Sequence, residues 1–162
     1  MAVACAVFPP VRRAPVEIRI GDIVRSKGTK VISIERGASV YDALRRLTTA
    51  NVGSVLVIAD GVVCGIFTER DVVRRVALEG RNAWETRVEE VMTRHLVSVS
   101  VDNTIDEAMA LMTIHRCRHL PVMRAGKLVG LVSIGDCVNQ ISRGAQAQTE
   151  ELTHYIVGSY PR

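Results

Sequence analysis

Two heptapeptides in this chain carry a glycine, a hydroxyl and a carboxylate at the same spacing: Gly65-Ile66-Phe67-Thr68-Glu69-Arg70-Asp71 and Gly130-Leu131-Val132-Ser133-Ile134-Gly135-Asp136. A Ser or Thr followed three residues later by an acid is what a helix start needs. The hydroxyl accepts from a backbone N–H of the first turn, and the acid accepts from the N–H of the cap residue. The same arrangement suits a ligand. A strand end that turns into a helix presents free N–H groups and a hydroxyl to an anion, and a carboxylate there can accept both hydroxyls of a ribose. The two roles are compatible, and capping alone would account for half of the pattern. Catalysis is poorly served. The chain has no Gly-x-Ser-x-Gly, no His-Glu-x-x-His and no phosphate loop ending in Gly-Lys-Ser/Thr, and its four histidines lack a nucleophile or base at motif spacing. The expectation is a protein that is not an enzyme.

The cysteines and charges narrow the choice further. Cys5, Cys64, Cys117 and Cys137 stand 59, 53 and 20 residues apart, with no histidine placed to complete a zinc set, so no metal site is expected. Cys64 and Cys137 have apolar neighbours and read as small core residues of a protein in a reducing cytoplasm. The net charge is +4, and 18 of the 21 basic residues are arginine, which favours fixed, planar recognition of phosphate or carboxylate. These arginines are interleaved with 17 acids rather than massed in a tract. A nucleic-acid-binding surface is therefore the alternative rather than the first reading.

The elements that must position these residues come from a duplication. Residues 32–75 overlie 97–140 at a constant offset of 65 without a gap, with eight identities including Gly65/Gly130 and Asp71/Asp136. Each copy reads strand, helix, strand, strand, helix. Val31–Ile34 and Leu96–Val99 alternate as short strands. Ser39 with Asp42 and Thr104 with Glu107 mark helix starts, followed by the apolar faces Val40, Ala43, Leu44, Leu47 and Ile105, Ala108, Met109, Met112. Two strands then form a hairpin, turning at Asp60-Gly61 in the first copy and Ala125-Gly126 in the second. A last helix follows Thr68 or Ser133, with its apolar face at Val72, Val73 and Val76 or at Val138 and Ile141. One copy is too small to hide both faces of its sheet, so the two should pack together around a pseudo-twofold axis, as an α/β (α+β) pair.

The chain of 162 residues is 48% hydrophobic. Its 25 valines leave too little polar surface to cover every face, which points to a homodimer. Apolar runs such as residues 55–59 end far short of the ~20 residues of a membrane helix. The division reads as a flexible tail over 1–19, a first repeat over 20–77, a connector over 78–95 anchored by Trp84, a second repeat over 96–142, and a tail over 143–162. That last tail contains a short helix from Thr149 through Tyr160 with a Leu152, Tyr155, Ile156 stripe. In the first fifteen residues the arginines follow the apolar stretch, the reverse of a secretory signal. An organelle transit peptide stays open as the alternative to a flexible tail.

The duplicated unit, its Gly-x-x-Thr/Ser-x-x-Asp turn and the phrase Arg118-His119-Leu120-Pro121-Val122 together resemble a tandem pair of cystathionine-β-synthase-type (CBS) domains, the Bateman module, over residues 20–142. The resemblance is strongest to small stand-alone CBS-pair proteins. It implies a non-catalytic regulatory module that binds an adenine nucleotide between the copies, dimerises into a disc and signals to a partner protein. AMP is the expected ligand, with ATP, ADP, NAD or S-adenosylmethionine as alternatives, and no cofactor is required. Carried over by position, Asp71 and Asp136 become ribose ligands, and Thr68 and Ser133 ligands of phosphate or ribose. Arg118, His119 and Thr93 fall at phosphate positions. Ile32 and Val97 would read the adenine edge through their backbone, and Val57 and Val122 would pack on its ring. The copies differ: Arg116, Arg118 and His119 of the second replace Asn51, Gly53 and Ser54 of the first, while Arg70 follows Thr68 where Gly135 follows Ser133. The Asp136 cleft is thus expected to be the better site. A purely structural dimerisation module, with empty clefts, is the remaining alternative.

Overall fold

The computed structural model describes residues 17–144. The expectations about the two tails, apart from their ends at 17–19 and 143–144, lie outside the described residues. Two three-stranded sheets form the frame. In the first, β1 (Ser33–Glu35) runs parallel to β2 (Ser54–Ala59), which pairs antiparallel with β3 (Val62–Thr68). The second repeats the pattern with β4 (Val99–Ser100), β5 (His119–Arg124) and β6 (Lys127–Ser133). Both hairpins shift register at the same place, between Val57 and Ile58 and between Val122 and Met123. The turns have the double positive φ of a two-residue hairpin, at Asp60 (51°) with Gly61 (77°) and at Ala125 (48°) with Gly126 (75°).

β1 and β4 lie later than their apolar runs suggest. Ile32 stands before the ladder and only its carbonyl joins it, accepting from the Leu56 N–H at 3.0 Å. Helices α2 (Val40–Ala50) and α5 (Ile105–Ile114) start where the caps require: the Ser39 and Thr104 hydroxyls each accept from a backbone N–H three residues on, both at 3.1 Å. Beyond β3, α3 (Glu69–Asp71) runs directly into a π-helical turn, Val72–Ala77. The second copy has an uninterrupted helix, α6, over 134–144. The expected apolar faces of these last helices hold at Val72 and Val76 and are corrected elsewhere. Val76 and Cys137 reach the cores, whereas Val73 and Val138 are 55% and 48% exposed. Trp84 does meet the first copy, stacking on Tyr41 with ring centroids 3.5 Å apart, yet stays 66% exposed.

Two short helices cross between the copies. The opening helix of the first repeat folds onto the second repeat, and the helix that follows the first repeat's end folds back onto it. Helix α1 (Ile20–Lys27) buries Ile20 and Ile23 among Val99, Ile105, Leu120 and Val132 of the second copy. Helix α4 (Val88–Val91), from within the expected connector, buries Val88 and Val91 among Ile34, Val40, Val55 and Phe67 of the first. Backbone bonds secure both crossings: Gly21 N–H donates to the Val101 carbonyl (2.8 Å), and Val88 N–H to the Ala38 carbonyl (2.9 Å).

Candidate functional site

Each strand-to-helix turn is closed by its own aspartate. At the first, Asp71 Oδ2 accepts from the Thr68 N–H (3.0 Å) and Oγ1 (2.7 Å), while the Thr68 Oγ1 accepts from the Asp71 N–H (3.3 Å). Its other oxygen is also taken. Asp71 Oδ1 accepts from the Thr93 hydroxyl at 3.1 Å and lies 3.8 Å from the Arg75 guanidinium. Arg75 in turn donates to the Val91 and Met92 carbonyls at the end of α4, at 3.0 and 2.6 Å. Asp71 is only 7% exposed.

The second turn differs. Asp136 Oδ2 accepts from the Ser133 N–H (2.8 Å) and Oγ (2.7 Å), and the Lys27 ammonium donates to the same oxygen at 2.7 Å. Asp136 Oδ1 has no hydrogen-bond partner among the described residues. Lys27, the last residue of α1, also donates to the Leu131 carbonyl at 3.3 Å. Burial works against the Asp136 charge. The Lys27 and Ser133 donors outweigh it and hold the carboxyl below its ordinary value.

The repeated glycines are explained by the crossings. A Cβ on Gly65 would stand 2.5 Å from the Met92 sulfur and 3.0 Å from the Thr93 carbonyl oxygen. One on Gly130 would stand 3.1 Å from a Val24 methyl. Each glycine leaves room for the region that crosses from the other repeat. Thr93 is fixed there by mutual backbone bonds with Ile66, at 2.9 and 2.8 Å, so Thr93 approaches Asp71 much as Lys27 approaches Asp136.

The remaining expected ligands divide. His119, at the start of β5, faces Gly53 across the boundary between the copies: a Cβ on Gly53 would lie 3.5 Å from its ring. Burial, and then the nearby Lys27 charge, lower the His119 pKa below its ordinary value despite Asp136 and Glu69, so the ring is neutral at pH 7 and offers one N–H. Arg118 is exposed beside it, its carbonyl accepting from the Ile134 N–H at 2.9 Å. Arg70 reaches across the boundary and donates to the Arg116 carbonyl at 2.7 Å. Val57 and Val122 are corrected. Both are 0% exposed and face their own cores, because an alternating strand points them inward, which takes their side chains out of any cleft lining. Ile32 and Val97 are half-buried at the edges of the two cores. Sequence reasoning missed Lys27 and Arg75. Lys27 is one of three lysines in a chain with 18 arginines, a signal of composition but not of place.

Two similar sheets, exchanged short helices and an acid-closed turn in each copy define a duplicated α+β module of the regulatory kind. The CBS domain family matches residues 20–78 and 88–143. The chain belongs to the CBS-domain family, as a tandem pair. It is 35% identical over 150 residues to the CBS domain-containing protein CBSX3, mitochondrial, of Arabidopsis thaliana, covering 87% of this chain and 73% of that one. It is 36% identical over 115 residues to the CBS domain-containing protein YhcV of Bacillus subtilis, covering 70% and 81%. Among solved structures, it is similar to a putative signal-transduction protein with CBS domains from Burkholderia ambifaria, with a TM-score of 0.74, 40% identity and coverage of 76% and 93%. It also resembles a hexameric CBS-CP12 protein from bloom-forming cyanobacteria, with a TM-score of 0.68, 26% identity and coverage of 76% and 68%. Proteins of this family are generally regulatory modules, often with adenosine ligands. No helix among the described residues is long and apolar enough to cross a membrane.

Proposed function

We propose that the protein is a cytoplasmic, non-catalytic regulator that binds an adenine nucleotide at the Ser133–Asp136 turn, senses cellular energy state through it, and passes the signal to a partner protein or across its own homodimer. One observation carries the choice of site. Among the described residues Asp136 keeps Oδ1 without a partner, whereas both oxygens of Asp71 are engaged by Thr68, Thr93 and Arg75. A ribose hydroxyl can therefore bond to Asp136 without dismantling the helix cap. The same turn supplies an output. Lys27 ends α1, the part of the first repeat that packs on the second copy, so a ligand that draws Lys27 from Asp136 towards its phosphate moves a contact between the copies. Such a shift is limited by the ligand's differential affinity for the two positions. In a thermal-shift panel, adenine nucleotides should raise the melting temperature by an amount that follows RT ln(1 + [L]/Kd), about 2.7 kcal/mol at a hundredfold excess over Kd. Guanosine and cytidine nucleotides should not. Silence of every adenine nucleotide at millimolar concentration would refute the proposal.

A further inference from the structure

We propose that the first copy carries a separate ligand site, along the β1 edge of its sheet, that takes a small zwitterion: a free α-amino acid or a short peptide. It does not depend on the adenine-nucleotide reading above. A cavity of about 450 Å³ opens between β1 and α2, within the size range of small-molecule sites. Glu35 of β1 and Asp42 of α2 bring two carboxylates to it, and Arg45 and Arg46 bring two guanidiniums. Ile34 and Ala38 add an apolar wall. None of the residues assigned to a nucleotide lines it. β1 is an edge strand, and it is the opposite edge, β3, that meets Thr93.

The four charges do not neutralise one another. Asp42 stands three and four residues before Arg45 and Arg46, the spacing at which an acid and an arginine pair along a helix. Such pairs close elsewhere in the chain, Asp22 with Arg25 and Asp71 with Arg75. At this cavity, among the described residues, no salt bridge joins either acid to either arginine. Two of the groups are held by other bonds. Asp42 Oδ2 accepts from the Ser39 hydroxyl at 2.7 Å, and Arg46 donates to the Ser33 carbonyl of β1 at 2.8 Å. A lining with two charges of each sign repels a simple anion through its acids and a simple cation through its arginines. A molecule bearing both signs satisfies all four, its carboxylate on the planar two-donor guanidiniums and its ammonium on the carboxylates.

The second copy shows that the fold does not require this lining. At the 65-residue offset, Asp42 corresponds to Glu107, which keeps the acid that the helix start uses, whereas Glu35, Arg45 and Arg46 correspond to Ser100, Ala110 and Leu111. The remaining charges are therefore additions to a unit that folds without them. On its other face α2 buries Val40, Ala43 and Leu47 in the core that Val88 and Val91 of α4 complete. A ligand that ties α2 to β1 thus acts on a core shared by both halves, which gives the module a second input.

The test is isothermal titration of the full chain with the standard α-amino acids, pooled and then singly, and with a set of dipeptides. Each binder is followed by the amine and the carboxylic acid that remain when one of its charged groups is removed. At least one zwitterion should bind one per chain, and its amine and its acid should each bind more weakly by about tenfold or more, because each leaves protein charges unmatched. Glu35→Ser and Arg45→Ala/Arg46→Leu install the second copy's own residues, so both variants should fold and keep the wild-type response to adenine nucleotides. The double variant should weaken zwitterion binding by about tenfold or more, and Glu35→Ser by less. Silence of every amino acid and dipeptide at millimolar concentration, an amine or acid that binds as tightly as its zwitterion, or undiminished affinity in the folded double variant would overturn the proposal. Dipeptides that bind where free amino acids do not would support it and select the longer separation of charges. Because the Asp136 turn is untouched by these variants, a zwitterion that binds when no nucleotide does, or the reverse, shows which of the two readings has failed.

Discussion

The two aspartates allow a test in which stability and binding should move in opposite directions. Asp71→Asn places an amide where the carboxylate accepts from the Thr68 N–H, the Thr68 hydroxyl and the Thr93 hydroxyl, at a position 7% exposed. The amide oxygen can keep one or two of these bonds, and the NH2 group must face the rest. A cost of about 1–3 kcal/mol follows from leaving a buried polar group badly matched. Asp136→Asn keeps the Ser133 cap and loses the Lys27 ion pair. With side chains 46% and 21% exposed, that pair is screened, so the total should stay near 1 kcal/mol. For a chain of this size, about 2–4 °C of melting temperature accompanies each kcal/mol, and Asp71→Asn should melt lower than Asp136→Asn. Affinity should reverse that order. Asp136→Asn removes charge-assisted bonds to the ribose and should weaken nucleotide binding by roughly 1.5–3 kcal/mol, or about 10- to 150-fold. Asp71→Asn should leave it nearly unchanged. Differential scanning calorimetry and isothermal titration of both purified variants decide the matter. A folded Asp136→Asn with wild-type affinity would mean that the repeated turn is a helix cap and nothing more.

Three further outcomes are expected. Because folding lowers the Asp136 carboxyl below its ordinary 3.8, its contribution is present above about pH 4 and is lost as pH falls through the folded value. Lys27→Met should therefore destabilise by about 0.5–1 kcal/mol at pH 7, with the gap from wild type closing as pH falls through the folded value; an undiminished gap in acid urea melts would rule the ion pair out as its source. Gly65→Ala should cost about 1–3 kcal/mol by pressing on Met92 and the Thr93 carbonyl, and an unchanged urea midpoint would show that the crossing region yields freely. Val73 and Val138, equivalent positions left exposed on the last helices, should lie in a homodimer contact, so that Val138→Glu gives a monomer by light scattering; a wild type that is already monomeric at high micromolar concentration would remove that claim.

Much of the frame was legible because local chemistry sets it. The caps at Ser39 and Thr104, the turns at Asp60-Gly61 and Ala125-Gly126, and the alternating hairpin strands each depend on a few neighbouring residues. The exchanged helices were not legible. α4 has four residues, too few for a periodic signal, and nothing in the sequence around Ile20 says which sheet it will cover. The site followed the same division. Asp71 and Asp136 were found by spacing, but the difference between them comes from Thr93, Arg75 and Lys27. Their contacts lie 22, 4 and 109 residues from the aspartate they touch, and only the folded chain brings the distant two there. Val57 and Val122 show the converse, since a position matched by resemblance had an inward side chain.

The crossing of α1 and α4 makes each hydrophobic core the joint property of both halves. Expressed alone, residues 20–78 would hold an orphaned α1 and a core open where Val88 and Val91 belong, and two such fragments could close only by trading arms with each other. Duplication within one chain turns that trade into an internal tie whose closure does not depend on protein concentration. Neither half can melt without uncovering the other, so the pair should unfold as one cooperative unit, and strain applied at one turn is borne by the opposite core.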